Sequence, residues 1–280
     1  MPLLLLAVAC EQQVGGVNGS DSTSTHALLK VEHTLLVGAE GATSARAFAG
    51  IVRLPELADP GPLFRLYGGS VSLPEIGQCV PVGRERDSAV AAEPIHAEFL
   101  DAGDVTLRAS NVETLLAPRA FPSSITELPG VVYTSRDSAS EALPAGALYS
   151  LHTSGSEQLS ALEMKVQAPE LLSELLVGGM PLAELTSVST QADVQLDWRA
   201  GDARDLVYVE VAGSAEQGTL GVCAFRDSEG HGALPRGLFG AAGAGSLSFH
   251  RLREVAAEAR ALDAAEVRFD FELTTEVSFR

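Results

Sequence analysis

The sequence predicts an all-β protein: tandem antiparallel β-sandwich domains, immunoglobulin-like, behind an N-terminal signal and a flexible polar tether. Three observations predict it. Apolar and polar residues alternate with period two over several segments, which suits half-buried strands and no helix. Gly, Pro and Asp clusters such as Asp59-Pro60-Gly61-Pro62 and Tyr67-Gly68-Gly69 break those segments at short intervals, as turns do. Hydrophobic residues make up 46% of 280 positions, so a sizeable core is available and global disorder is excluded.

The N-terminus reads as an export signal. Leu3, Leu4, Leu5, Leu6, Ala7, Val8 and Ala9 form a short apolar run that ends at Cys10. Small residues at Ala7 and Ala9 suit a signal-peptidase site. The stretch resembles a bacterial lipobox, in which a lipidated cysteine follows a leucine and small residues. It departs from that pattern because Ala7 stands where leucine is usual, and only Met1 and Pro2 precede the run where a charged region is expected. The expectation is a mature chain that begins at Cys10 and carries lipid there. A first buried strand with an ordinary cysteine is the plain alternative. Residues 11–25 are rich in Gly, Ser, Thr and Gln, a composition that favours a linker over a packed element. Residues 1–26 are thus expected to be signal and disordered tether. More than one acyl chain on Cys10 would anchor stably, since each buried methylene contributes about 0.8 kcal/mol.

Strands are expected next at 27–37, 45–54, 78–82, 105–108 and 131–134, then at 162–168 and 192–198. Residues 206–211 (LVYVEV) and 220–225 (LGVCAF) are apolar on both faces and are expected to be deeply buried. The C-terminus alternates most cleanly. Val267, Phe269, Phe271, Leu273, Thr275, Val277 and Phe279 share one face; Arg268, Asp270, Glu272 and Glu276 share the other. Residues 169–177 (PELLSELLV) carry helix signals, with Pro169 at the start and Gly178-Gly179 after the end. Residues 253–265 have helix-forming composition, but the alternation from Leu247 argues for a strand into Arg253 and Val255, then an Ala-rich loop or short helix. A boundary near Pro169 divides the body into domains 27–168 and 169–280, roughly 140 and 110 residues. The core of the second is expected to hold Trp198, Val209, Val222, Phe249, Phe269 and Phe271. One larger sandwich whose halves share a sheet is the alternative.

The second half resembles a family of uncharacterised lipoproteins common in myxobacteria and similar GC-rich bacteria. The resemblance rests on Cys223-Ala224-Phe225-Arg226-Asp227 before a Gly-containing turn, the Leu234-Pro235 pair, and Leu247-Ser248-Phe249-His250-Arg251. The family's Asp-Gly step is stretched here to Asp227-Ser228-Glu229-Gly230. The resemblance covers about residues 160–280 with the signal and tether. It implies a β-sandwich and a membrane anchor, and no activity.

Charge excludes some functions. Lys and Arg total 19 against 37 Asp and Glu, a net charge of -18. Nucleic acid and anionic lipid headgroups are therefore not expected as partners, because phosphate surfaces need clustered cations. Only Lys30 and Lys165 are lysines, so the excess of arginine reflects a GC-rich genome. No apolar run reaches the roughly 18 residues a spanning helix needs.

Chemistry is sparse. His26, His33, His96, His152, His231 and His250 fall in no metal-binding spacing. Asp227, Glu229 and His231 around Gly230 are weak candidates for a cation site, without the alternating ligands of a calcium loop. No cofactor is implied, and no G-x-S-x-G marks a serine nucleophile. The glycine-rich residues 240–245 lack the strand-and-helix context of a phosphate cradle. Cys79 and Cys223 would sit in separate domains. A bridge between them suits an oxidising compartment; the burial expected for Cys223 favours two unpaired apolar cysteines. Trp198 shares a face with Val194 and Leu196 and reads as core. The expected function is that of a non-catalytic envelope lipoprotein, anchored to a bacterial membrane through Cys10, that binds or scaffolds another envelope protein or a glycan. An exported hydrolase with an acid/His site invisible in sequence is the alternative.

Overall fold

The computed structural model describes residues 22–38, 43–56, 58–61, 63–64, 73–82, 97–121, 130–135, 143–214 and 216–280. The first nine strands are β1 (Thr23–Leu36), β2 (Thr43–Pro55), β3 (Cys79–Pro81), β4 (Glu98–Phe99), β5 (Val105–Ala109), β6 (Val112–Phe121), β7 (Gly130–Ser135), β8 (Leu148–Thr153) and β9 (Glu163–Gln167). The rest are β10 (Leu176–Val177), β11 (Met180–Pro181), β12 (Ser187–Val188), β13 (Val194–Asp197), β14 (Leu206–Ala212), β15 (Thr219–Arg226), β16 (His231–Leu234), β17 (Gly243–Ala257) and β18 (Ala264–Phe279). Among the described residues these form an all-β protein of packed sheets. Cys10 and the signal lie outside the described residues.

One sheet carries most of the chain, in the order β3-β15-β14-β17-β18-β1-β2-β4-β7-β6-β5-β8-β9. A small sheet, β11-β10-β13-β16, covers part of it. β18 is the spine. Every odd position from Ala265 to Phe279 is buried, because the period-two pleat turns all of them to one side. The lower part, Ala265 to Phe271, packs in a core with β1, β2, β5, β8 and β9. The upper part, Leu273, Val277 and Phe279, packs in a second core with Leu196, Trp198, Val209 and Leu234. Each fully buried Phe or Leu contributes about 1.5–3 kcal/mol relative to exposure. A third cluster, with Leu28, Val52, Leu54, Phe64 and Phe99, lies on the other face of β1 and β2.

Polar residues mark the seam between the two large cores. On β17, Leu247 and Phe249 belong to the second core and Val255 and Ala257 pack on the first. Arg251 and Arg253 stand between them on the same face, both buried. Arg253 holds Asp205 in a bidentate pair, Nε to Oδ1 at 2.6 Å and Nη2 to Oδ2 at 2.8 Å. Its Nη1 donates to the Gln167 carbonyl at the end of β9, 3.1 Å away. Arg251 Nη2 donates to Asp227 Oδ1 at 2.9 Å, and the guanidinium also donates to the carbonyls of Glu170, Leu171 and Arg199. On β1, buried His33 takes the matching seam position, its ring edge-on to Phe271.

Several expectations are corrected. β1 begins at Thr23, so residues 23–26 of the expected tether are strand. Their backbone pairs with residues 52–55 of β2, and the Thr25 amide donates to the Asp263 carboxylate; polar side chains do not prevent that pairing. The strand at the C-terminus is antiparallel to β17 but parallel to β1. This pairing of first and last strands crosses the expected division between 168 and 169, although the two large cores do part between Ala168 and Leu172. Phe269 and Phe271 lie in the first core, not the second. Residues 169–175 are not helical; their carbonyls serve side chains and loops instead, those of Glu170 and Leu171 binding Arg251 and that of Ser173 binding the Arg199 amide. Strands β6 and β8 were not expected. Pro118 within β6 masks a strand that lies between β5 and β7.

Candidate functional site

The half-buried outer face of β17, β18, β1 and β2 carries a polar pocket of about 240 Å³, with β14 alongside. Strand alternation builds it. The residues that point away from the cores on these strands line up in register: Tyr208 opposite His250, His250 opposite Glu272, Glu272 opposite Thr34, and Thr34 opposite Ser44. One row along, Asp270 stands opposite Glu32 and Glu32 opposite Arg46.

His250 is the centre, with 8% of its surface exposed. Its ring stacks on Tyr208 at 4.1 Å between centroids. Its Nδ1 lies 2.9 Å from Asp270 Oδ1, and Asp270 Oδ2 accepts the Tyr208 hydroxyl at 2.7 Å. Thr34 donates to Glu272 Oε2 at 2.8 Å. The other oxygen, Glu272 Oε1, stops 4.0 Å from His250 Nε2. That buried nitrogen has no hydrogen-bond partner among the described residues. Buried Lys30 pairs with Glu32 at 2.6 Å, while Arg46 reaches solvent at the rim.

The electrostatics follow from this packing. Burial by itself lowers the His250 pKa, but the bond to Asp270 and the charges of Asp270, Glu272 and Glu210 outweigh it and raise the pKa. For Asp270, burial works toward a higher pKa, and the bonds to His250 and Tyr208 with the charges of His250 and Lys30 bring it below the ordinary carboxylate range. Burial, with the Asp270 carboxylate beside it, pushes the Tyr208 hydroxyl far up, so it is a fixed donor. Glu210 is raised, chiefly by burial. The neighbouring carboxylates thus favour the imidazolium form of His250, which is held between the Asp270 carboxylate and the Tyr208 ring.

The residues singled out in sequence lie elsewhere. Cys79 and Cys223 form a disulfide, which corrects the preference for unpaired thiols. They face each other across β3 and β15 with Cα atoms 4.0 Å apart. The neighbouring pairs at 78 and 82 carry the ladder hydrogen bonds, so this is a non-hydrogen-bonded position, where opposed side chains come closest. Asp227, Glu229 and His231 do not converge. Asp227 is fully buried, taking Arg251 and the Trp198 indole N–H, whereas Glu229 and His231 are exposed. Gly230 closes the short 3-10 turn between them at φ 70°. Among the described residues no three His, Cys, Asp or Glu are placed to hold a metal ion. Trp198 is core, with Nε1 bound to Asp227. Of the other histidines, His26 bonds Ser24, His33 is at the seam, His152 is exposed and His96 lies outside the described residues.

Sequence reasoning missed the pocket. Its residues come from four strands spread over positions 32 to 272, and each looks like an ordinary polar outer face. The one local signal is Tyr208 and Glu210 alternating inside the apolar LVYVEV strand.

No family model matches the chain, and no curated protein matches it. Among solved structures it is similar to the zebrafish (Danio rerio) Fcho1 Mu homology domain with bound Eps15 peptide, at 11% identity and a TM-score of 0.29. That alignment covers 91% of this chain and 97% of the other.

Proposed function

We propose that the protein is a non-catalytic lipoprotein of the bacterial envelope that binds a partner through the His250 pocket. The observation that carries the reading is the buried His250, its Nε2 unpartnered, beside a polar pocket walled by four strands. A buried donor left over in a pre-shaped polar pocket is suited to taking a ligand group. The partner is an envelope protein or a glycan. Cys10 carries the lipid, and the polar residues before β1 act as the tether. The body is two immunoglobulin-like sandwich lobes, 27–168 and 169–280, that share β17 and β18; the parting of the cores between Ala168 and Leu172 supports that boundary.

The test is photo-crosslinking in intact cells from a probe at Ser44, on the pocket wall. A crosslinked envelope protein or polysaccharide that disappears when His250→Phe is introduced supports the reading. Labelling unaffected by His250→Phe overturns it. Mass analysis of the native N-terminal peptide tests the anchor separately, and an unmodified Met1 sinks it.

The Asp270–His250 pair also favours a second reading, an exported hydrolase, since a carboxylate-oriented histidine can activate a hydroxyl. Against it, the surrounding acids favour the protonated form of His250, and an imidazolium cannot accept that proton. Turnover of an ester and glycoside panel that is lost in His250→Phe would favour the hydrolase.

A further inference from the structure

We propose that the end of the β1–β2 hairpin, residues 33–37 and 43–45, is an acid-released latch: protonation of His33 frees it from β18 and takes down the Thr34–Ser44 wall of the pocket. This rests on the binding reading and names the regulation of that site.

His33 is 6% exposed, and neither ring nitrogen has a hydrogen-bond partner or surface open to water. A neutral imidazole carries one donor and one acceptor, so both go unmet, which is uncommon for buried polar groups. The ring meets Phe271 edge-on, 6.0 Å between centroids. Protonation turns the acceptor into a second donor and places a charge where nothing receives it. The facing groups offer no relief. On that face the charged side chains are Arg251 and Arg253 of β17, one strand beyond β18. Both are cations, already held by Asp227 and Asp205. Tyr149 of β8 and Tyr133 of β7 stand in the first core, their hydroxyls kept neutral by burial. The β2 residues beside the ring are Ala45 and Ala47. Lys30, Glu32, Asp270 and Glu272 take the opposite face by alternation. Burial alone therefore lowers the His33 pKa.

Position makes this a latch. His33 stands near the end of β1, which closes at Leu36, and its partner Ala45 near the start of β2 at Thr43. Beyond it, Leu35 and Val37 are only half-buried against the second core. Below it, Leu29 and Val31 are fully buried in the first. The end of the hairpin therefore opens at lower cost than the rest of β1, and its parting brings the His33 ring to water. The same residues carry the pocket wall. Thr34, next in sequence and on the outer face, donates to Glu272 and stands opposite Ser44. Both line the pocket. When the end leaves β18, Thr34 leaves Glu272. The closed state binds fewer protons than the open one, so opening grows as pH falls below 6.5 and levels off below the depressed folded value. One proton gives at most about a tenfold rise in the opening constant per pH unit.

The experiment follows amide hydrogen exchange by NMR in the full chain between about pH 7 and about pH 5, across the window that one-proton linkage sets. The companions are His33→Leu and His33→Gln. Neither side chain titrates, and one is apolar and the other polar, so a folding defect in one leaves the other. Comparing parent and variant at equal pH cancels the exchange chemistry and the titration of His250, which both share. The parent-to-variant rate ratio at residues 33–37 and 43–45 is expected to rise in acid, by up to about tenfold per pH unit, while β14 stays level. A ratio independent of pH overturns the proposal. So does a rise shared by the whole chain, which marks global unfolding, or a His33 midpoint of 6.5, which marks an open ring. Photo-crosslinking from Ser44 in intact cells at the same two pH values tests the coupling. A crosslink lost in acid by the parent and kept by the variants supports it. A crosslink equally strong at both values overturns the regulation and leaves the binding reading standing. Acid-dependent exchange with no crosslink at either value overturns the binding reading and leaves the latch standing.

Discussion

Arg253→Met is expected to be among the most damaging single substitutions, because it strands a buried carboxylate. Asp205 is 2% exposed, and both its oxygens are held by the Arg253 guanidinium. Asp202 Oδ2 also lies 3.7 Å from Arg253 Nη2, and as a second carboxylate it cannot take the arginine's place beside Asp205. Methionine keeps the bulk of the arginine stem, so cavity formation contributes little and the loss is electrostatic. Removing one partner of a buried pair costs about 3–5 kcal/mol. The Gln167 carbonyl also loses its donor, which adds about 1–3 kcal/mol wherever water does not reach it. For a chain of this size the sum lowers the melting temperature by about 10 °C or more. Urea denaturation and calorimetry measure it. The companion is the double variant Arg253→Met/Asp205→Leu, which removes both charges. It is expected to recover most of the loss, because replacing a whole buried pair by apolar groups is often close to neutral. A single variant within about 1 kcal/mol of the parent would refute the assignment of the Arg253–Asp205 pair as the fastener of the seam.

Three further outcomes are expected. Gly201→Ala puts a Cβ 2.0 Å from Asp227 Oδ2 and 3.1 Å from Arg251 Nη2; the boxed-in carboxylate must shift, lowering stability by about 1–3 kcal/mol in denaturant titration, and an unchanged midpoint would count against the second seam pair. Cys79→Ser with Cys223→Ser opens a link across 144 positions, worth up to about 5 kcal/mol by chain entropy; hydrogen exchange should rise first at residues 78–82, and uniform exchange would contradict the bridge's local role. His250 is expected to titrate above 6.5 and His33 below it, by NMR. A raised folded-state pKa makes the His250 contribution complete below pH 6.5 and lost as pH rises through its folded value. Burial lowers His33, so its term weakens the fold as pH falls from 6.5 toward its depressed value. A His250 midpoint at or below 6.5 would contradict the clamped imidazolium.

The sequence by itself determined the all-β class and most strands. Period-two alternation is a local property of the pleat, and β18 displays it over sixteen residues, so Val267, Phe269 and Phe271 could be read as buried without a partner strand in view. Trp198 was legible for the same reason, and Val209 from a run that is apolar on both faces. The tertiary structure alone decided which core each residue enters. Strand β18 lies beside β1 through a long-range pairing, His26 with Ala264 to Leu36 with Thr274, and the seam passes between Phe271 and Leu273 with no break in the alternation. It also decided the disulfide, since two cysteines far apart in sequence are opposed only once β3 pairs with β15. The pocket was the least legible part. Asp270 and Glu272 alternate like any solvated face, and only the parallel register with β1 and the antiparallel register with β17 bring Thr34 and His250 to them. Alternation says which side of a strand a residue faces; which strands lie beside it is a long-range choice that no local pattern encodes.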